Sequence, residues 1–241
     1  MRRLTSLLLC LCAFFSVSMA QIRVACVGNS ITEGHGLSDP ATEAYPGVLQ
    51  RLLGDDYVVQ NFGLSGYTMM REGDSPYMNA SDPAKRRFQA ALASNPDIVT
   101  IKLGTNDSKA RNWDHFKDDF APSFNAMIDS FQCLPSHPLI YICLPIPAAG
   151  ENFSIRPEVV DNEICPLLKE LAAKRGLPVI DLNTAMRPYL ETLDDMIHPN
   201  RVGSALIAEE IARRLLVDRA AGKFEKGQKS QPIHLKADFL H

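Results

Sequence analysis

The sequence has no surplus of positive charge: 25 lysines and arginines face 28 aspartates and glutamates, and no basic stripe runs through it. A surface that neutralises a row of phosphates needs such a stripe, so nucleic acid is excluded as a partner. Metal chemistry lacks its usual spacing too. No cysteines stand as Cys-x-x-Cys and no histidines as His-x-x-x-His, so there is no zinc pattern, and no cofactor is implied. No apolar run reaches the roughly 20 residues needed to span a bilayer. Internal repeats and composition shifts that would mark a second domain are also missing. What is there, in 241 residues with 46% hydrophobic content, suffices for one substantial core.

The N-terminus is a separate matter. Arg2 and Arg3 precede an apolar run over residues 7–15, and Ser18-Met19-Ala20 offers small side chains where a signal peptidase reads. Residues 1–20 are therefore expected to be a signal peptide, removed on export to the periplasm or the cell exterior. A membrane anchor is the alternative, but the run is too short to span, and no stable membrane insertion is expected after processing. Processing would move the net charge from −3 to about −5. Cys26 and Cys143 lie in apolar runs and read as small buried hydrophobes. Cys133 and Cys165 are left open to pairing in an exported protein. Oligomeric state does not follow from the residues.

Downstream, short apolar runs alternate with stretches of helical period. Runs at 24–27, 57–62, 98–103, 139–144 and 177–182 read as strands. Segments 44–53, 83–94, 114–131, 167–174 and 202–216 read as helices, the first stopped by Gly54 and the second opened by Pro83. This alternation implies right-handed crossovers and a parallel sheet covered on both faces. The expected fold is α/β: a three-layer α/β/α sandwich over residues 21–219 with a five-stranded, flavodoxin-like sheet. The tail, 220–241, is polar and lysine-rich, with only 232–235 and 239–240 able to dock.

Chemistry concentrates where the first three strands stop. Gly28-Asn29-Ser30-Ile31-Thr32 turns sharply after the first, Gly63-Leu64-Ser65-Gly66 follows the second, and Gly104-Thr105-Asn106-Asp107 the third. Parallel strands deliver all three to one edge of the sheet, where open α/β folds bind ligands. By itself Ser30 or Asn29 is as well explained as a helix cap, and Asp107 as a brace for its own loop. Ahead of the last helix stands Asp195-Met196-Ile197-His198, close enough for a carboxylate to hold one imidazole nitrogen while the other faces Ser30.

These four blocks, in this order, resemble the SGNH hydrolase superfamily, the GDSL-type esterases, across residues 22–216. Asn29 replaces the aspartate of the usual Gly-Asp-Ser. The resemblance implies Ser30 as nucleophile, His198 as its base and Asp195 as the residue orienting that base. It also implies an oxyanion hole made by the amides of Ser30 and Gly63 and the side chain of Asn106. Glycine at 63 is expected to keep the approach to its amide clear. The segments 63–66, 73–77 and 104–113 are further similar to bacterial sialate and carbohydrate O-acetylesterases. An acetylated carbohydrate is the substrate this implies, with Tyr67, Tyr77, Trp113 and Phe153 as aromatics to stack on it, each equally suited to core packing. A lysophospholipase, thioesterase or general short-chain esterase is the alternative, as is a glycan-binding protein with an inactive triad. His35, His115, His137, His234 and His241 lack partners in the sequence and are expected on the surface.

Overall fold

The computed structural model describes residues 21–224. The signal peptide expected at 1–20, most of the tail, and His234 and His241 lie outside the described residues. The five strands are β1 (Ile22–Gly28), β2 (Tyr57–Gly63), β3 (Ile98–Lys102), β4 (Leu139–Cys143) and β5 (Val179–Ile180). All pair in parallel, in the order β2-β1-β3-β4-β5. This is the expected flavodoxin-like order, which reverses between β1 and β3 and opens a crevice at their carboxyl ends.

Alternation along the strands splits the core in two. Ala25, Val27, Val99, Ile101, Ile140 and Ile142 point to one face. There they meet α4 (Arg87–Ala93), α5 (Ala110–Phe116), α6 (Phe120–Gln132) and α8 (Cys165–Lys174). Val24, Cys26, Ile98, Tyr141 and Cys143 point to the other, against α3 (Tyr45–Leu53), α9 (Leu182–Met186) and α10 (Arg201–Ala220). Each fully buried aliphatic or aromatic side chain contributes about 1.5–3 kcal/mol, so both interfaces hold the sheet firmly. Shorter helices α1 (Ser30–Glu33), α2 (Pro40–Glu43) and α7 (Pro157–Val159) sit in the connections.

Some boundaries differ from expectation. The 83–94 segment breaks at Arg86 (φ −76°, ψ 56°) into a 3₁₀ turn and α4. The 114–131 segment is two helices, α5 beginning at Ala110 and α6 following a 3₁₀ turn. β5 is only two residues long, because the Asp181 side chain turns to accept the Thr184 N–H and starts α9 instead. All four cysteines of the described region are free: Cys133 is exposed and Cys165 buried, so they do not pair. Among the described residues no helix is long and apolar enough to cross a membrane.

Candidate active site

At the end of β1, Gly28 is forced by packing. A Cβ there would lie 2.0 Å from Thr32 Oγ1 and 3.0 Å from the Lys102 carbonyl oxygen. The chain then turns into α1, whose N-cap Asn29 accepts the Ile31 N–H through Oδ1 (3.2 Å). Ser30 thereby becomes the first residue of the helix, where its N–H has no partner within the helix, and it sits buried at the rim of the sheet. Gly34, at φ 95°, closes α1 and folds His35 back so that its N–H reaches the Ser30 carbonyl (3.0 Å).

On the far side, the loop before α10 makes a tight turn through Met196 (φ 73°). Asp195 spends one carboxylate oxygen on this turn, accepting the N–H groups of Ile197 (3.0 Å) and His198 (2.7 Å). Its other oxygen accepts His198 Nδ1–H at 2.7 Å. His198 Nε2 then lies 2.8 Å from Ser30 Oγ. With Nδ1 donating, Nε2 is left as the acceptor of the serine hydroxyl proton. Asn200 caps α10 through Val202 and Gly203 and anchors the base of the loop.

Electrostatics keep this relay poised. Burial lowers the proton affinity of His198 below its ordinary value, against the pull of Asp195 in the other direction, while charge on His35 and Lys102 lowers it further. Burial alone would raise Asp195, but the hydrogen bonds from the His198 backbone, the His198 ring and the Ile197 backbone hold its carboxyl below the usual range. At neutral pH the pair is thus carboxylate and neutral imidazole, the state in which an imidazole can take a proton.

The loop after β2 departs from expectation. Gly63 is buried and its N–H is already held by Asn61 Oδ1 at 2.8 Å, so it offers nothing to an oxyanion. Its lack of a side chain serves packing instead: a Cβ would sit 2.1 Å from the Glu33 backbone nitrogen. Asn61 also donates to the Thr32 carbonyl (2.7 Å), and Glu33 accepts the Ser65 N–H (2.9 Å), lashing this turn to α1. In this turn the glycine amide that is not taken up by a neighbouring described residue is that of Gly66, partly exposed at φ 88°. It adjoins Tyr67, whose carbonyl accepts one hydrogen of Asn106 Nδ2 (3.0 Å), leaving the second free. Asp107 is structural, but it holds the neighbouring loop, accepting the Met69 and Met70 N–H groups at 3.0 and 2.9 Å.

The aromatic candidates separate. Tyr77 is fully buried and donates to the Phe62 carbonyl (2.5 Å). Trp113 is buried against Phe120, its Nε1–H on Glu163 (2.8 Å). Neither can stack on a ligand, and both belong to the core. Tyr67 is half-buried against that core. Phe153, 49% exposed, has its ring 5.3 Å from the His198 ring. His35, set aside with the surface histidines, is exposed but has its ring 4.4 Å from His198. Its position five residues after Ser30, just past a helix-ending Gly34, was the signal available. His35, Asp195 and His198 each present a ligand atom within 4.8 Å of the others. Two of the three, however, are already bonded to each other and to Ser30.

A serine hydroxyl, an imidazole and a carboxylate bonded in series at the carboxyl rim of a parallel sheet define a site built for nucleophilic attack on a carbonyl. Residues 26–206 match the GDSL-like Lipase/Acylhydrolase family, and the chain belongs to that family. It is 41% identical over 209 residues to an acetylxylan esterase of Xylanibacter ruminicola, covering 79% of this chain but only 42% of that protein's length. Among solved structures it shares its fold with a carbohydrate acetylesterase from Sinorhizobium meliloti. That match has TM-score 0.68 and 22% identity, over 82% of this chain and 99% of the other. A lipase/acylhydrolase from Enterococcus faecalis is similar at TM-score 0.63 and 25% identity, over 86% and 100%.

Proposed function

We propose that this chain is a serine esterase that removes O-acetyl groups from a carbohydrate through an acyl-enzyme intermediate. The observation that carries the reading is the unbroken series Asp195–His198–Ser30 at hydrogen-bond distances. The likeness to an acetylxylan esterase supports the choice of acyl group and alcohol.

Ser30 Oγ attacks the ester carbonyl carbon as its proton passes to His198 Nε2, and Asp195 stabilises the imidazolium that forms. The carbonyl oxygen becomes an oxyanion facing the Ser30 N–H, the Gly66 N–H and the free hydrogen of Asn106 Nδ2. Each such donor is worth on the order of 100-fold in rate. Collapse expels the sugar oxygen, which takes the proton from His198 and leaves acetyl-Ser30. Water then gives a proton to His198 and attacks the acetyl carbon; acetate departs and the proton returns to Ser30.

Acetate release from acetylated xylo-oligosaccharides tests the reading. Loss of more than about 1000-fold in Ser30→Ala is expected, and retained activity in that variant overturns it. A preference for octanoyl over acetyl esters would instead favour a lipid-directed acylhydrolase. Export, with residues 1–20 as the removed signal, belongs to the proposal; the N-terminal residue of protein recovered from the periplasm or medium tests it.

A further inference from the structure

We infer that Phe153 is the sugar-binding residue of this site, its ring stacking on the apolar C–H face of the pyranose whose ester is cleaved. The inference rests on the deacetylase reading above.

Three observations converge on this ring. First, Phe153 stands about half exposed beside the imidazole that must hand a proton to the departing sugar oxygen, at 5.3 Å between ring centroids and 70° between planes. A group bonded to that oxygen therefore leaves past this ring. Second, the backbone holds it there against its own preference. Phe153 and Ser154 have φ of 50° and 61°, a conformation that bulky L-residues rarely adopt. Third, the strained turn is tied to both halves of the site. Asn152 Oδ1 accepts the Phe153 N–H (2.8 Å) and Asn152 Nδ2 donates to the Asp195 carbonyl (2.9 Å). Three residues on, Arg156 N donates to Ser108 Oγ (3.1 Å) and its Nε to the Ser108 carbonyl (2.6 Å), beside Asn106.

A ring that served only to fill space would be buried, as Tyr77 and Trp113 are. This one is turned outward, on a conformation that glycine would adopt freely, and fixed relative to the reacting groups from both sides. The exposed His35 ring lies 6.2 Å from Phe153 and nearly perpendicular to it, beside the same imidazole. The ring's negative face suits the weakly positive C–H bonds of a sugar, and a rigid aromatic loses little freedom on contact.

The test compares two acetate esters, an acetylated xylo-oligosaccharide and methyl acetate, on wild type, Phe153→Gly, Phe153→Ala and Phe153→Tyr. Expected for the Gly and Ala variants is a fall of tenfold or more in kcat/KM for the oligosaccharide, mostly through KM, with less than a twofold change for methyl acetate. Phe153→Tyr should retain at least half of the wild-type value on both. Phe153→Gly should melt no lower than wild type, which separates recognition from folding. Equal losses on both esters would mean that the ring only positions His198, and no loss on either would mean that it touches no sugar; each overturns the inference alone. A wild type active on methyl acetate but inert on the oligosaccharide overturns the deacetylase reading and this inference with it.

Discussion

The two sides of the site are built from different kinds of backbone. The side that carries Ser30 and Asn106 is packed to the limit. An added Cβ at Gly28 or Gly63 would come within about 2 Å of the neighbouring turn, at 2.0 and 2.1 Å, and one at Gly104 would come 2.9 Å from Ile164. On the other side of the site, residues 149–156 and 193–199 place Phe153, Ser154 and Met196 at positive φ, and leave Phe153 and Met196 each 49% exposed. Such residues cost about 1–3 kcal/mol apiece and persist where the surroundings impose them. Atoms that must meet within a few tenths of an ångström are thus fixed by close contact at the ends of strands. The face turned to the leaving group is fixed by strain and by hydrogen bonds between loops. The nucleophile Ser30 thus lies on the first side and its base His198 on the second, joined by the 2.8 Å contact between Oγ and Nε2.

On the second side one residue serves both backbone and chemistry, and changing it should have the largest effect. Asp195 both braces the strained turn and orients His198. Asp195→Asn keeps the shape of the side chain but favours the wrong imidazole tautomer, so kcat for acetate release should fall about 10⁴-fold. A loss below tenfold would show that its service to the backbone is all that matters. Next in size is a pair of glycines three residues apart. In Gly63→Ala the new methyl meets the Glu33 backbone, which cannot yield without moving α1; a destabilisation above about 4 kcal/mol is expected. Gly66 has open space around its missing side chain, and its φ of 88° alone resists substitution, so Gly66→Ala should cost about 1–2 kcal/mol. Urea denaturation of the two variants measures the difference, and equal costs would refute the packing argument.

These positions also mark how far the sequence could be read. Strand runs, their alternation with helices and the glycines at their ends were sufficient for the sheet, because burial on both faces leaves a periodic trace in each segment. Ser30, Asp195 and His198 were legible through the resemblance, each standing in a short block that matches the GDSL-type pattern in order and spacing. Gly63 was misread because glycine has two uses, close approach and free amide, and only coordinates show that Asn61 has taken the amide. Tyr77 and Trp113 were indistinguishable in sequence from Phe153, since burial of a single aromatic in a connection depends on contacts from distant segments. His35 stayed hidden because its neighbour lies 163 positions away and is reached only through the left-handed turn at Gly34.

A smaller effect is expected beneath the rim. Lys102 ends β3 fully buried, and its ammonium finds no hydrogen-bond partner among the described residues. Burial brings it down to about 7. Between pH 7 and its ordinary value of 10.5, the folded protein sheds a proton that the unfolded chain keeps, so this site's penalty is full below pH 7 and fades as pH rises. Lys102→Met should therefore stabilise the protein by roughly 1–4 kcal/mol at pH 6, with the gain shrinking towards pH 10. Denaturation midpoints at the two pH values check both the sign and the trend; a variant less stable at pH 6 would mean that the ammonium has a role worth its burial.

The smallest effect is a displacement of the pH profile, and it asks whether the two sides of the site communicate. His198 must be neutral to accept the proton of Ser30, so kcat/KM falls on the acid side as His198 becomes protonated. Burial sets that fall below the ordinary histidine value of 6.5, and charge on His35 pushes it lower still. Replacing His35 by glutamine removes one opposing charge, so His198 should hold its proton to higher pH and the acid limb should move upward. Activity at pH 5 drops while activity at pH 8 is unchanged. Asp195→Asn removes the principal group favouring the imidazolium and should move the limb the other way. Profiles of kcat/KM on methyl acetate, which needs no sugar contact, isolate this from recognition. Opposite displacements in the two variants would show that His35 acts on His198 through charge. An unmoved limb in His35→Gln would confine His35 to ring contact with His198 and Phe153.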